Sequence, residues 1–323
     1  MDGPDTISLF AGAGGLEHLV DGRTLGIESW PAVCATRKAA GLATLEADVR
    51  DTGPADFPTA KHLRGGPPCQ TFSVTGNGKG RKALDAVKTA AWLLAARAPI
   101  MSQVAALDDE RTGLVLEPLR WTLAAIDRGR PYETIVLEQV RQALPVWEVF
   151  ARILRREGYG VETGVLKAEQ FGVPQTRRRA VLIARHGRPA QLPQPTHNAY
   201  QPGMPQHYAT LSIMKPWVSM GDALPHRGPF TAVSNYGTGG DPRNRGRRTS
   251  AEPAFTVTGK VNRTRLVDAD GNDLPRFTPA EAGALQGFPL DHPWSGRDVW
   301  QQIGNCVPRQ LAAAILTRVH ADY

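Results

Sequence analysis

A short apolar run that ends in glycines constrains this chain more than any other stretch. Residues 6–10 (TISLF) read as a buried strand, and Gly12, Gly14 and Gly15 follow at once. Glycines there let the backbone turn sharply and let a ligand come close, at the carboxyl edge of a parallel sheet. The dinucleotide fingerprint would need a further glycine at position 17, where Glu17 stands. A pyrophosphate is therefore disfavoured, whereas a nucleoside without phosphates still fits. Glu28 ends a second short strand, 25–28, where an acid can accept hydrogen bonds from ribose hydroxyls. Asp48 ends a further short segment. The competing reading is an ordinary tight turn beside two solvated acids, and the turn alone does not decide between them.

Strand and helix signals alternate through the first half. Residues 31–40 are helix-like with Gly41 as their stop, and 83–98 and 114–127 carry helical periodicity. Residues 133–137 (ETIVL) and 180–184 (AVLIA) are apolar strands, and 144–157 form an amphipathic helix closed by Gly158. This order predicts an α/β fold with a mostly parallel sheet covered on both faces. Residues 187–275 are rich in Pro, Gly, Asn and Arg and show no long helix, which reads as a small irregular second domain. Helical signals return at 279–287 and 308–320. The expected division is 1–186, then 187–275, then a return segment 276–323 that completes the first domain.

At 323 residues the chain can bury a sizeable core. Its net charge of +7 is compatible with a polyanionic partner. The three cysteines, Cys34, Cys69 and Cys306, are far apart and odd in number, so neither a disulfide framework nor a cysteine-rich metal site is expected. That usage fits a reducing cytoplasm. The N-terminus lacks the pattern of a signal peptide, and no apolar run reaches the roughly 18 residues of a membrane span.

The stretch 65–70 (GGPPCQ) places Cys69 at the tip of a rigid Pro-Pro turn. A thiol held in one place can serve as a nucleophile once a base or a lowered pKa supplies the thiolate. Residues 71–82 (TFSVTGNGKGRK) hold three glycines and three basic residues, the composition of a lid over an anionic ligand. The plainer readings are a buried inert thiol and a flexible surface connection.

With GGPPCQTFS at 65–73 and FAGAGG at 10–15, the chain resembles the DNA cytosine-C5 methyltransferases. The resemblance continues in that family's block order through RTGL at 111–114, LEQV at 137–140, QTRRR at 175–179, RFTPAEAGALQGFP at 276–289 and QIGNCVP at 302–308. It implies a Rossmann-like sheet for S-adenosyl-L-methionine, with a small irregular target-recognition domain at 187–275. It also implies that Phe10, Gly12, Gly14, Gly15, Glu28, Asp48, Val49, Pro68, Leu114, Asn305 and Val307 surround that cofactor.

The implied reaction is covalent. Cys69 adds to C6 of a cytosine flipped out of duplex DNA, Glu138 assists at N3 and the exocyclic amine, and Arg177 and Arg179 organise the pocket. No metal is called for. Gln70, Ser73, Lys79, Arg81 and Gln175 would face the DNA. So would Thr256, within FTVTG at 255–259, and Lys260. Much of the positive charge lies at 226–265, where Arg243, Arg245, Arg247 and Arg248 are candidates for phosphate or guanine contacts. The alternative there is a disordered basic loop.

Three positions depart from the family pattern: Gln139 replaces a usual Asn, Trp30 comes one place after a usual aromatic position now held by Ser29, and Cys306 replaces a smaller residue. The partner expected is duplex DNA, bound by a monomer and paired in function with a restriction endonuclease. Two other readings stay open: a catalytically silent DNA-binding relative, and an RNA cytosine-C5 methyltransferase.

Overall fold

The computed structural model describes residues 3–17, 23–68, 79–100, 104, 107, 110–203, 213–237, 241 and 244–321. A seven-stranded sheet forms the centre. Its strands are β1 (Thr6–Leu9), β2 (Thr24–Glu28), β3 (Thr44–Glu46), β4 (His62–Gly65), β5 (Thr134–Val140), β6 (Tyr159–Lys167) and β7 (Arg178–His186). They lie in the order β3-β2-β1-β4-β5-β7-β6. The first five are parallel, and β7 pairs antiparallel with both β5 and β6.

The strands hold because both faces are apolar. Along β5, Ile135 and Leu137 enter one core while Val136 enters the other; along β7, Leu182 opposes Val181 and Ile183 in the same way. That is the two-residue period of an extended chain. One face is covered by α2 (Lys79–Ala95), α3 (Glu117–Asp127) and α4 (Leu144–Arg156), the other by the last helix, Arg309–His320. In α4, Val146, Trp147, Val149, Phe150, Ile153 and Leu154 share the buried side, Pro145 occupies the first turn and Arg155 and Arg156 the last. Proline suits a helix start, and basic residues suit the negative end of its dipole. The helix α1 (Pro31–Ala39) follows β2 and stops at Gly41, whose φ is +72°.

Residues 187–275 contain a four-stranded antiparallel sheet in the order β11-β10-β8-β9, from β8 (Thr231–Gly237), β9 (Arg245–Thr249), β10 (Arg265–Val267) and β11 (Asp273–Leu274). Phe230, Ala232, Val257 and Leu266 form its core together with Phe277, Ala282, Leu285 and Ile303. The return segment thus divides. Its first part, with the short helices Pro279–Ala284 and Val299–Asn305, packs on the second sheet; Leu311, Ile315 and Val319 pack on the first.

The sequence reading needs three corrections here. The nine-residue strand β6 was not anticipated, because its glycines and charges blur the alternation. Residues 110–116 form a 3-10 helix before α3 starts at Glu117. Lys79 to Lys82, expected to belong to the lid, form the first turn of α2. No helix among the described residues is long and apolar enough to cross a membrane.

Candidate active site

The glycine turn is built around Glu28. Phe10 and Gly12 both have left-handed backbones, with φ of +53° and +55°. For Phe10 that conformation is strained, and such strain collects at functional sites. The turn brings the Gly12 N–H 3.0 Å from Glu28 Oε2, while the Trp30 N–H donates to Oε1 at 2.9 Å. Beneath it, the fully buried Arg37 pairs with Glu17 at 2.6 Å and also donates to the Gly12 and Ala43 carbonyls. Glu17 therefore turns into the protein and braces the loop. A Cβ on Gly15 would stand 2.4 Å from the Val307 carbonyl oxygen, so only glycine allows this approach of the return segment.

A cavity of about 730 Å³ opens at the carboxyl edge of β1, β2, β4 and β5. Eight of the residues expected to hold the cofactor line it: Phe10, Gly12, Glu28, Asp48, Val49, Pro68, Leu114 and Asn305. Gly14, Gly15 and Val307 are not on its wall; Gly15 and Val307 shape it from behind through their mutual packing. Sequence reasoning missed Val33, Gly66, Gln139, Val140 and Gln301, which also face it. Trp30 lines it too, although it stands one place from the expected aromatic position. Among the described residues the wall carries two acids, Glu28 and Asp48, and one base, Arg50. Arg50 is itself spent on Asp48, with Nη2 2.7 Å from Oδ2, a contact that holds the Asp48 carboxyl below its ordinary range. A site with this balance suits an uncharged nucleoside or a cation better than a polyphosphate. The Val49 carbonyl accepts hydrogen bonds from Trp121 Nε1 and Arg120 Nη2, which fixes the segment to α3.

The second part of the site lies where β4 and β5 run side by side. Gly65 pairs with Leu137, so a Cβ on Gly66 would stand 3.8 Å from Glu138 Oε2. Glu138 is buried, and Arg179 Nε approaches its Oε1 at 2.8 Å. The N–H is not aimed along that contact, so Oε1 has charge compensation without a well-directed hydrogen bond. Burial pushes the Glu138 carboxyl above its ordinary pKa; Arg179 and Arg177 oppose the shift without cancelling it. Gln139 resolves one departure from the family pattern. Its amide donates to the Pro67 carbonyl and accepts from the Val140 N–H at 2.6 Å, tying the Pro-Pro turn to β5. Pro68 lines the cavity. The next residue, Cys69, lies outside the described residues, as do Gln70, Ser73 and Arg243 and the side chains of Lys79 and Arg81.

Arg177 takes a different part from Arg179. It is buried and donates to the carbonyls of Val257 at 2.7 Å, Gly304 at 2.9 Å and Cys306 at 3.2 Å. It joins the two sheets and the return segment, and lies behind the pocket rather than on its wall. Gln175, expected to touch DNA, is fully buried. Its amide donates to Leu285 O and Gln286 Oε1 and accepts from the Val257 N–H, leaving nothing to offer a duplex. Arg248 is also committed. It donates to Thr176 Oγ1, Pro253 O and Ala254 O, and its guanidinium lies against the rings of Tyr200 and Phe255. Arg245, Arg247, Thr256 and Lys260 are exposed. Cys306 packs between Ala13 and Phe288, and burial pushes its thiol up to about 12, a packing residue rather than a nucleophile.

A family model described as C-5 cytosine-specific DNA methylase matches residues 5–87 and 108–321. Among curated proteins, the chain is 29% identical over 290 residues to the Type II methyltransferase M.NlaX of Neisseria lactamica, covering 83% of this chain and 79% of the relative. It is 28% identical over 357 residues to the Type II methyltransferase M1.HphI of Haemophilus parahaemolyticus, covering 97% and 86%. Among solved structures, S. pombe Dnmt2 methyltransferase superposes with a TM-score of 0.61 at 16% identity, over 97% of both chains, a likeness of fold.

Proposed function

The chain belongs to the C-5 cytosine-specific DNA methylase family and is a DNA (cytosine-5-)-methyltransferase, and we propose that it works by base flipping and a covalent bond from Cys69 to the target ring. The observation that carries this reading is the buried Glu138–Arg179 pair, set beside the cavity wall where the Pro67-Pro68 turn leads to the thiol. S-adenosyl-L-methionine fits the 730 Å³ cavity, where it would supply a methyl group as an electrophile. Glu28 would take the ribose hydroxyls, Asp48 and Val49 the adenine edge, and Trp30 with Leu114 its faces. The two carboxylates also favour a cationic ligand.

The residues then divide the work. Cys69 adds to C6 of the extruded cytosine, which makes C5 nucleophilic. Glu138, whose carboxyl burial raises above its ordinary pKa, acts at N3 and the exocyclic amine in its protonated form, donating to the one and accepting from the other as charge moves onto the ring. Arg179 holds that carboxyl in place and reaches toward the base. After C5 is methylated it loses its proton, and Cys69 leaves. Residues 187–275 act as the recognition domain, with Arg245, Arg247, Thr256 and Lys260 facing duplex DNA, and the chain acts as a monomer beside a restriction endonuclease.

The test uses duplex DNA with 5-fluorocytosine at the target site. A covalent complex should accumulate with wild-type protein and S-adenosyl-L-methionine. Cys69→Ser should abolish it and lower methylation by about 10⁴-fold or more. Methylation unaffected by that substitution would sink the mechanism.

A further inference from the structure

A second pocket, of about 440 Å³, lies between the two sheets; Val140 lines both it and the cofactor cavity, and Arg179 of the active site is on its wall. Its rim is cationic, with Arg141, Lys167 and Arg178 from the first sheet and its connections and Arg248 from the second. Lys167 and Arg178 are directly opposed across β6 and β7. Like charges at opposed positions destabilise a sheet, so their persistence asks for an anionic ligand. Among the described residues the wall also holds one acid. Glu169 is only 5% exposed, and its Oε2 has no hydrogen-bond partner. An unpaired buried acceptor is destabilising, so it too asks for a ligand, one that brings an N–H group. Burial holds the Glu169 carboxyl above its ordinary pKa, against the backbone N–H groups of Glu169 and Arg177 that hydrogen-bond it. Rotation about its last side-chain bond, a soft torsion, can turn either oxygen to the pocket.

We propose that this pocket takes a nucleotide of the DNA next to the target cytosine, its phosphate on Arg141, Lys167 and Arg178, and that Glu169 reads an exocyclic amine on its base. A nucleotide is the one unit of the substrate that carries an anion at one end and an amine donor at the other. Adenine, cytosine and guanine have such an amine; thymine does not. A carboxylate accepting from a base amine is an established mode of direct readout. Glu169 is thus a specificity-determining residue. The inference rests on the DNA-methylating reading but adds a site to it.

The test gives the full chain a duplex library randomised around cytosine, with S-adenosyl-L-methionine, and reads products by bisulfite sequencing. Wild type should disfavour thymine about tenfold at one flanking position. Glu169→Ala should level that position and leave preferences elsewhere intact. Arg178→Ala should lower methylation of all sequences alike and flatten its salt dependence, with the preference kept. A Glu169→Ala variant that melts like wild type and methylates with an unchanged sequence profile would overturn the proposal. If that variant does not fold, the similarly sized Glu169→Met, which has no acceptor oxygen, replaces it, and an unchanged profile again counts against the pocket. If wild type methylates no cytosine, the enzymatic reading fails first. Selection of the same library by binding then decides separately: a Glu169-dependent base preference in the bound pool keeps the site, and its absence removes it.

Discussion

The edge of the first sheet and the face of the second both gather charged residues, yet they use them in opposite ways. At the first edge, each charge is fixed by strand register. Gly66 lies against Glu138 because β4 and β5 are parallel neighbours, and Arg179 reaches Glu138 because β7 runs back beside β5. On the second sheet, Arg245 and Arg247 project from the exposed strand β9, with no partner strand beyond it among the described residues. One region pre-organises a few groups out of water, where a small displacement is costly. The other offers exposed cations to a polyanion, where none is indispensable. Substitutions should separate the two.

The largest effect belongs to Glu138. Glu138→Gln keeps the shape and the fold but replaces the acid by an amide, which donates a hydrogen bond but cannot hand over a proton. The turnover number should fall by about 10²–10⁴-fold. The pH profile sharpens the point. Burial raises the wild-type carboxyl, so the protonated form persists above the ordinary carboxylate range and is lost as pH rises through the raised pKa. Wild-type activity should carry a descending limb from that ionisation, and the Gln variant, which cannot ionise, should lack it. The same limb in both proteins would show that Glu138 is not the titrating acid.

Arg177 comes next, and it tests whether an arginine of the first region can act purely as structure. Its guanidinium serves three backbone carbonyls from two other segments. Arg177→Met keeps much of the volume and strands those acceptors, which should cost about 2–4 kcal/mol of stability. A denaturant titration checks this. A turnover number that falls while stability stays at the wild-type value would reassign Arg177 to the chemistry.

The difference between the regions also sets how much could be read without a structure. The glycine turn, Glu28 and Asp48 were legible because each ends a strand or opens a turn whose geometry is local; Leu114, inside the 3-10 helix 110–116, was reached only through the family resemblance. Trp30 reaches the cavity through the bend between β2 and α1, which no periodicity records. The roles of Gln175, Arg177 and Arg248 were not legible for a different reason. Gln175 and Arg177 are decided by carbonyls 80 to 129 residues away, and Arg248 by the Thr176 hydroxyl 72 residues away together with two nearby carbonyls, partners that in each case include a segment only the tertiary fold brings near. In sequence, an arginine that staples two segments and one that waits for a phosphate are identical. Nor did RGRRT at 245–249 read as a strand, since neither its residues nor their alternation mark a buried face.

That ambiguity makes the smallest predicted effect the most informative about the second region. Arg247 is exposed, pairs with Val233 of β8, and makes no side-chain hydrogen bond or ion pair among the described residues. Arg247→Ala should therefore leave stability within about 0.5 kcal/mol of wild type, as surface changes away from special features do. If the side chain meets a phosphate, DNA affinity should fall severalfold at low salt. The slope of log affinity against log salt should shrink by about 0.9, the signature of one lost phosphate contact. Sequence preference should not change, because a phosphate carries no base identity. If preference at one base pair relaxes instead, Arg247 reads a base edge, and the second sheet is more pre-organised than its exposed strand suggests. If neither affinity nor preference moves, β9 lies off the DNA, and the contrast between the two regions would have to be redrawn with the duplex on the β10–β11 side.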